Sequence, residues 1–216
     1  MSKPILHSYF RSSTSYRLRI ALNLKGVEAT YKAHHLRHGE QRADAYLALN
    51  PQGLVPSLEL EDGTVLTQSM AIIEYLDETI PEPPLLPQGA VRRAQARAMA
   101  QMIACEIHPV NNLRVLTYLK TGFGADDAAV ANWFRHWVAT TFEPLESLLA
   151  ARQEKTRFCF GDTPGLADIC LVAQVANNRR FDVDMTPYPV ISAINEACME
   201  LEVFQKAAPA AQPDAE

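Results

Sequence analysis

The 216-residue sequence has few cysteines and no framework among them: Cys105, Cys159, Cys170 and Cys198 are scattered, with no Cys-x-x-Cys pair and no metal-ligand spacing. Each lies in an apolar stretch, so the pattern predicts buried free thiols in a reducing compartment. No window approaches the roughly 18 apolar residues of a membrane span. Residues 1–6 lack a basic start backed by a long apolar run, so no secretory signal is expected. Both absences predict a cytoplasmic protein with no membrane partner. Positive charge is not in excess either, since 20 Lys and Arg stand against 25 Asp and Glu for a net charge of −5. That balance gives no global pull toward nucleic acid, and there is no Gly-rich phosphate loop or basic–aromatic stripe. His34, His35 and His38 fall in a polar stretch without metal spacing, read as surface residues, and no metal is expected. Internal repeats are absent.

What is present is ample apolar material. Hydrophobic residues make up 48% of the chain, enough for a core without disulfides or metal. Residues 5–10 read as a short strand, followed by the cap-forming run Ser12-Ser13-Thr14-Ser15 and a helix over 16–25 that Gly26 closes. Residues 29–36 suit a second strand and 37–44 a loop. The turn Asn50-Pro51-Gln52-Gly53 leads to Leu54-Val55-Pro56, a hairpin around Asp62-Gly63, and a helix over 70–78 capped by Ser69. The order is β-α-β-loop-β-β-α. Residues 81–89, with four prolines and a glycine, read as a linker. Beyond it strand signals vanish, and helices are expected across 91–119 (kinked at Pro109), 129–150, 166–179 and 190–203. The Ala- and Pro-rich last ten residues predict fraying. Domains are therefore expected at 1–83 (α/β) and 90–216 (all-helical).

A strand that enters a helix through Ser12-Ser13-Thr14-Ser15 collects hydroxyls, free backbone N–H groups and the positive end of the helix dipole at one point. Such a point suits an anion, a thiolate in particular, because helix N-termini lower thiol pKa values. Helix capping accounts for the cluster as well. Gln68-Ser69 at another helix start could hold a carboxylate, or Ser69 could simply cap.

In this order the segments resemble the zeta class of the glutathione transferases. Ser12-Ser13-Thr14-Ser15-Tyr16-Arg17-Leu18-Arg19-Ile20-Ala21-Leu22 looks like the class motif. Residues 50–56 (Asn-Pro-Gln-Gly-Leu-Val-Pro) and 66–76, with Gln68 and Ser69, look like its glutathione-site segments, and 182–189 matches its C-terminal region. The resemblance implies an α+β glutathione-transferase fold, with a thioredoxin-like N-terminal domain followed by an all-α C-terminal domain. It implies glutathione as cofactor, a small dicarboxylate substrate and a homodimer. By the same resemblance Ser12 lies beside the glutathione sulfur, with Ser13 and Thr14 completing the cradle. Gln52 and Val55 meet the glutathione backbone, Val55 ahead of a cis Pro56, and Gln68 and Ser69 hold the γ-glutamyl end. Asn112 reaches in, with His108 nearby, and Arg11, Arg114 and Arg180 surround the substrate carboxylates.

The implied reaction is cis–trans isomerisation, in which a thiolate adds beside a ketone, the resulting single bond rotates, and the thiolate leaves. The implied substrate is maleylacetoacetate, which yields fumarylacetoacetate in aromatic amino-acid catabolism. Maleylpyruvate of gentisate degradation is the alternative, followed by general conjugation of glutathione. A non-catalytic binding module is the alternative from a different class. Two positions depart from the class pattern. Thr14 stands in place of Cys, which puts activities dependent on a protein thiol in doubt. Gly165 stands in place of Ser or Thr ahead of Asp168, so a capping oxygen is missing and restoring it as Thr is expected to stabilise.

Overall fold

A computed structural model describes residues 3–216. They divide into two compact units, one running up to Pro84 and including Met199–Glu216, the other Leu85–Cys198.

The first unit is built on a four-stranded mixed sheet. Its strands are β1 (Ile5–Ser8), β2 (Thr30–Ala33), β3 (Ser57–Glu59) and β4 (Val65–Thr67), in spatial order β2-β1-β3-β4. β1 pairs parallel with β2, Ile5 opposite Thr30, and antiparallel with β3, Leu6 opposite Leu58. The crossover between β1 and β2 is helix α1 (Ser13–Leu24), whose Leu18, Ile20 and Ala21 are fully buried. Two 3₁₀ turns, Leu36–His38 and Glu40–Arg42, and the short helix α2 (Asp44–Leu47) occupy the stretch expected as a loop. Gly63 takes φ 85° in the β3–β4 turn, a value that glycine adopts without strain. Helix α3 (Ser69–Thr79) follows β4 and is fixed at its far end by Lys25. The buried Lys25 ammonium donates to Asp77 (2.7 Å) and to the carbonyls of Ile80 and Pro83 (both 2.6 Å).

The second unit is all-helical. It contains α4 (Ala90–Gln101), a π-helical stretch (Met102–Ile107), α5 (His108–Asn111), α6 (Leu113–Phe123), α7 (Asp127–Ala150), α8 (Leu166–Arg179) and α9 (Pro189–Met199). The helix expected over 91–119 is thus four pieces: α4, the π-helical stretch, α5 and the start of α6. Pro109 has no N–H to give and its ring crowds the carbonyl four residues back, and here the wider π turn precedes it. Extended backbone at Asn112 (ψ 160°) then restarts the chain as α6. Small residues Ala96 and Ala100 are buried on α4, which packs against α8. Among the described residues no helix is long and apolar enough to cross a membrane.

Several expectations need correction. Cys159, Cys170 and Cys198 are buried as predicted, but Cys105 is exposed on the π-helical stretch. His34 is buried, its ring 2.8 Å from His7 on β1. The last ten residues, expected to fray, carry a 3₁₀ turn (Pro209–Ala211), and Asp214 accepts from the Phe10 N–H at 3.0 Å. Residues from Met199 onward group with the first unit rather than the helical one. Helix α10 (Glu202–Ala207) buries Phe204 and Ala207 and packs on α1, where Asn23 donates to the Val203 carbonyl at 2.8 Å. Periodicity within a segment reports which face is apolar, not which distant helix will cover it.

Candidate active site

Three segments of the first unit present polar groups that sequence reasoning singled out. The first is the turn Tyr9–Ser12, closed by the Ser12 N–H on the Tyr9 carbonyl at 3.0 Å. Ser12 is the N-cap of α1 (φ −70°, ψ 117°), and its Oγ accepts from the Ser15 N–H at 3.2 Å. The same Oγ lies 2.9 Å from Thr14 Oγ1, and Thr14 donates to the Val55 carbonyl at 3.0 Å. Since Thr14 has one proton and spends it on Val55, it accepts from Ser12. Ser13 is buried at the same helix start.

The second segment is the loop 50–56. It is held by Asn50 of its own turn and by Tyr46, which the sequence did not single out. Asn50 Nδ2 donates to the Leu54 carbonyl (2.8 Å) and to Ser57 Oγ (3.2 Å), and the Tyr46 hydroxyl donates to Leu54 at 2.6 Å. The Gln52 N–H donates to Asn50 Oδ1 at 3.1 Å. A Cβ at Gly53, where φ is 59°, would sit 2.9 Å from the Gln41 carbonyl oxygen, so this tight loop requires glycine. The Val55–Pro56 bond is cis. The turn chemistry of 50–53 is visible in the sequence, but nothing local marks Tyr46 as its prop.

The third is the start of α3. Gln68 carries φ 67° and ψ 112°, a strained value for a side chain larger than glycine, and supplies no side-chain cap to α3. Its amide donates instead to Gln52 Oε1 at 2.8 Å, joining the third segment to the second. Ser69 is buried at the first helical position. Hydrogen bonds therefore tie these segments together in pairs, Ser12 through Thr14 to Val55 and Gln68 to Gln52. Arg11, next to Ser12 in the chain, is half-buried, its guanidinium 4.8 Å above the Phe10 ring and 3.7 Å from the Glu216 carboxylate.

In the second unit His108 is half-buried at the start of α5. Asn112 is engaged locally. Its Oδ1 accepts from the N–H groups of Arg114 (3.0 Å) and Val115 (3.2 Å), capping α6, and its amide donates to the Pro109 carbonyl at 2.8 Å. Arg114 is exposed on the first turn of α6. Arg180 is exposed at the C-cap of α8, donates to Asn177 at 3.2 Å and lies 5.8 Å from the Phe181 ring centre. Gly165 caps α8 with extended backbone (φ −135°), and its N–H donates to Asp168 Oδ2 at 2.9 Å, one half of a capping box. Burial pushes the Asp168 carboxyl up, while the N–H groups of Gly165 and Cys159 hold it back. Among the described residues no group of three or more His, Cys, Asp or Glu could hold a metal ion.

A small mixed sheet with this order, carrying an anion-ready helix start and a cis-proline loop, followed by an all-helical unit, is the fold of the glutathione transferases. The family model for the glutathione S-transferase N-terminal domain matches residues 11–79. The maleylpyruvate isomerase of a Ralstonia species is 54% identical, covering 97% of this chain and 98% of its own length. The maleylacetoacetate isomerase of Dictyostelium discoideum is 46% identical, covering 100% and 97%. A solved maleylpyruvate isomerase, described as a bacterial glutathione transferase of the zeta class, superposes with a TM-score of 0.96 at 53% identity, covering 98% and 99%. A maleylacetoacetate isomerase from Methylobacterium extorquens AM1, solved with bound malonate and GSH, gives 0.94 at 38% identity over 98% and 99%. The chain belongs to the zeta class of the glutathione transferases.

Proposed function

We propose that this chain is a glutathione-dependent cis–trans isomerase that converts maleylacetoacetate to fumarylacetoacetate. The observation that carries the reading is the start of α1, where Ser12 Oγ, Thr14 Oγ1 and the first N–H groups of the helix converge next to the Val55 main chain. These residues fit glutathione. A hydroxyl at a helix N-terminus suits a thiolate, Gln52 and the Val55 main chain suit a peptide backbone, and the α3 start, to which Gln68 gives no side-chain cap, suits a carboxylate.

Bound glutathione supplies a thiolate that adds to the conjugated double bond and leaves again after rotation. Ser12 gives its proton as a hydrogen bond to hold negative charge at sulfur, and the α1 dipole adds to the same effect. Gln68, Ser69 and Val55 fix the tripeptide, which converts a bimolecular encounter into a positioned one. Arg11, Arg114 and Arg180 carry the planar fork that binds carboxylates bidentately, and they are assigned to the two acid groups of the substrate. Thr14 in place of Cys leaves this chemistry untouched, since no protein thiol takes part. A cytoplasmic homodimer completes the reading, and molecular mass in solution tests the dimer.

Maleylpyruvate is the second reading, favoured by one observation: the Ralstonia maleylpyruvate isomerase is 54% identical, against 46% for the Dictyostelium maleylacetoacetate isomerase. Spectroscopic turnover of both cis substrates, with and without glutathione, decides. A higher kcat/KM on maleylacetoacetate, abolished without glutathione and not restored by a simple anionic thiol, is the expected result. Equal rates with the simple thiol would defeat a dedicated glutathione site.

A further inference from the structure

The turn that delivers Ser12 is held by charged side chains from outside it. Inside a Tyr9–Ser12 turn the closing bond uses only the Tyr9 carbonyl and the Ser12 N–H, so both polar groups of the buried Phe10 need partners elsewhere. The Phe10 N–H donates to Asp214 Oδ2 at 3.0 Å. The Phe10 carbonyl accepts from Arg19 Nη2 at 3.0 Å, and Arg19 Nη1 reaches Ser8 Oγ at 3.2 Å and the Tyr9 carbonyl at 3.4 Å. Arg19 is buried, and its Nε donates at 2.8 Å to the Ala207 carbonyl at the end of α10. The carboxylate of Asp214 is fixed in turn by the Tyr31 hydroxyl at 2.7 Å on its other oxygen. An anion and a cation thus grip the N–H and the carbonyl of one residue, two positions ahead of Ser12.

We propose that Asp214 is a positioning residue for the thiolate end of the active site, holding the turn that sets the place of Ser12. The inference rests on the assignment of Ser12 to the glutathione sulfur. It makes the segment after α10 part of the catalytic apparatus, not a trailing end. Removing the carboxylate leaves the buried Phe10 N–H without its charge-assisted acceptor, so the turn relaxes and the Ser12 hydroxyl moves away from sulfur.

The sign of the effect separates positioning from bare electrostatics. A carboxylate near a thiolate disfavours the anion, so loss of its charge alone would lower the pKa of the bound thiol. Loss of positioning raises it. The test uses the full chain, titrating the ultraviolet absorbance of the thiolate in its glutathione complex, with the pH profile of kcat recorded in parallel. For Asp214→Ala the bound-thiol pKa is expected to rise by about one unit or more. At neutral pH kcat should fall about tenfold with the substrate KM changed less than about twofold, and kcat should recover as pH rises. Asp214→Asn, which retains one acceptor oxygen, should fall between wild type and Ala. Should Asp214→Ala fail to fold, Tyr31→Phe removes one anchor of the same carboxylate and should shift the thiol pKa in the same direction. An unchanged or lowered thiol pKa in the variants, with wild type binding a low-pKa thiol, overturns the inference alone. A wild-type complex whose thiol keeps its free pKa overturns the Ser12 assignment and the inference with it.

Discussion

The Ser12 hydroxyl faces two claims on one proton, because Thr14 sits 2.9 Å away with its own proton committed to Val55. A thiolate bound there, as proposed, would compete with Thr14 for that proton, so the two hydroxyls would not be equivalent donors. Ser12→Ala is expected to raise the bound thiol's pKa and lower kcat/KM about 100-fold, as for loss of one donor to a developing anion. Thr14→Ala removes the competitor, so the thiol pKa should stay or fall slightly and kcat/KM should change far less. Titrating the thiolate absorbance of both variants checks this, and a larger rise for Thr14→Ala would reverse the assignment. Gly165 makes a different point. Its backbone is extended, so a side chain meets no torsional objection, yet a Cβ would sit 2.6 Å from the Leu85 carbonyl oxygen. That oxygen cannot easily retreat, since it accepts the Leu166 N–H at 2.8 Å. Restoring Thr for its capping oxygen is thus the wrong expectation: Gly165→Thr should destabilise by about 1–3 kcal/mol. Thermal unfolding should show a melting midpoint several degrees lower, and a midpoint at or above wild type would count against the contact. Glycine for a missing cap is legible in the sequence, but glycine for close backbone approach is legible only once Leu85 is placed.

Secondary elements that rely on their own residues are those the sequence reveals. The Ser12 cap, the Asp62-Gly63 hairpin and the long α7 follow from local chemistry and 3.6-residue spacing. Elements fastened by another element stay hidden. The first N–H groups of α9 are held by Glu146 on α7, whose two oxygens accept from Val190 (2.8 Å) and Ile191 (2.9 Å). His34 is hidden in the same way, since its polar neighbours in sequence suggest solvent while its ring packs against His7 and Tyr46. Burial first, then the charges of His7 and Lys32, push the His34 imidazole down to about 4 from 6.5, with Glu40 opposing. His7 is lowered too, chiefly by burial, despite its bond to Glu59. In the 2.8 Å contact one neutral ring donates and the other accepts, so protonating both would set two N–H groups face to face. The unfolded chain takes up protons near pH 6.5, while in the folded chain His34 resists until about 4 and His7 is held below its ordinary value. Stability is therefore complete above 6.5 and lost as pH falls toward 4. Unfolding midpoints in urea should drop between pH 7 and about 5, a window above most carboxylate titrations. His34→Gln should show a shallower dependence there, and an identical slope would place the acid sensitivity elsewhere.

At the scale of the molecule, the Ala- and Pro-rich segment past residue 199 carries too little periodic pattern to announce that it joins the first unit. Besides the packing of Phe204 and Ala207 against α1, its attachment uses hydrogen bonds from scattered positions: Asn23 on Val203, the Tyr16 hydroxyl on the Phe204 carbonyl, Arg19 on Ala207, and Asp214 on Phe10 and Tyr31. The proposed substrate contacts would be scattered along the chain too, since the three arginines assigned to them are 11, 114 and 180. Each has an innocent local account. Arg11 lies over Phe10 near Glu216, Arg114 is exposed on α6, and Arg180 bonds Asn177 at the end of α8. A charged residue used only in this way tolerates removal, and exposed pairs contribute about 0–1 kcal/mol. Binding a substrate carboxylate is a stronger commitment, worth about 1.5–3 kcal/mol per charge-assisted contact. Single changes of Arg11, Arg114 and Arg180 to Gln should therefore each lower kcat/KM by about 10–150-fold, with melting midpoint and glutathione affinity nearly unchanged. A substrate with one carboxylate should turn over more slowly in wild type but be less sensitive to one of the three changes, because the guanidinium that met the missing acid has nothing left to lose. Losses below about twofold in all three variants would return them to the role of solvated charges. Collapse of glutathione binding along with turnover would instead place an arginine in the cofactor site, and the two substrates measured side by side separate those outcomes.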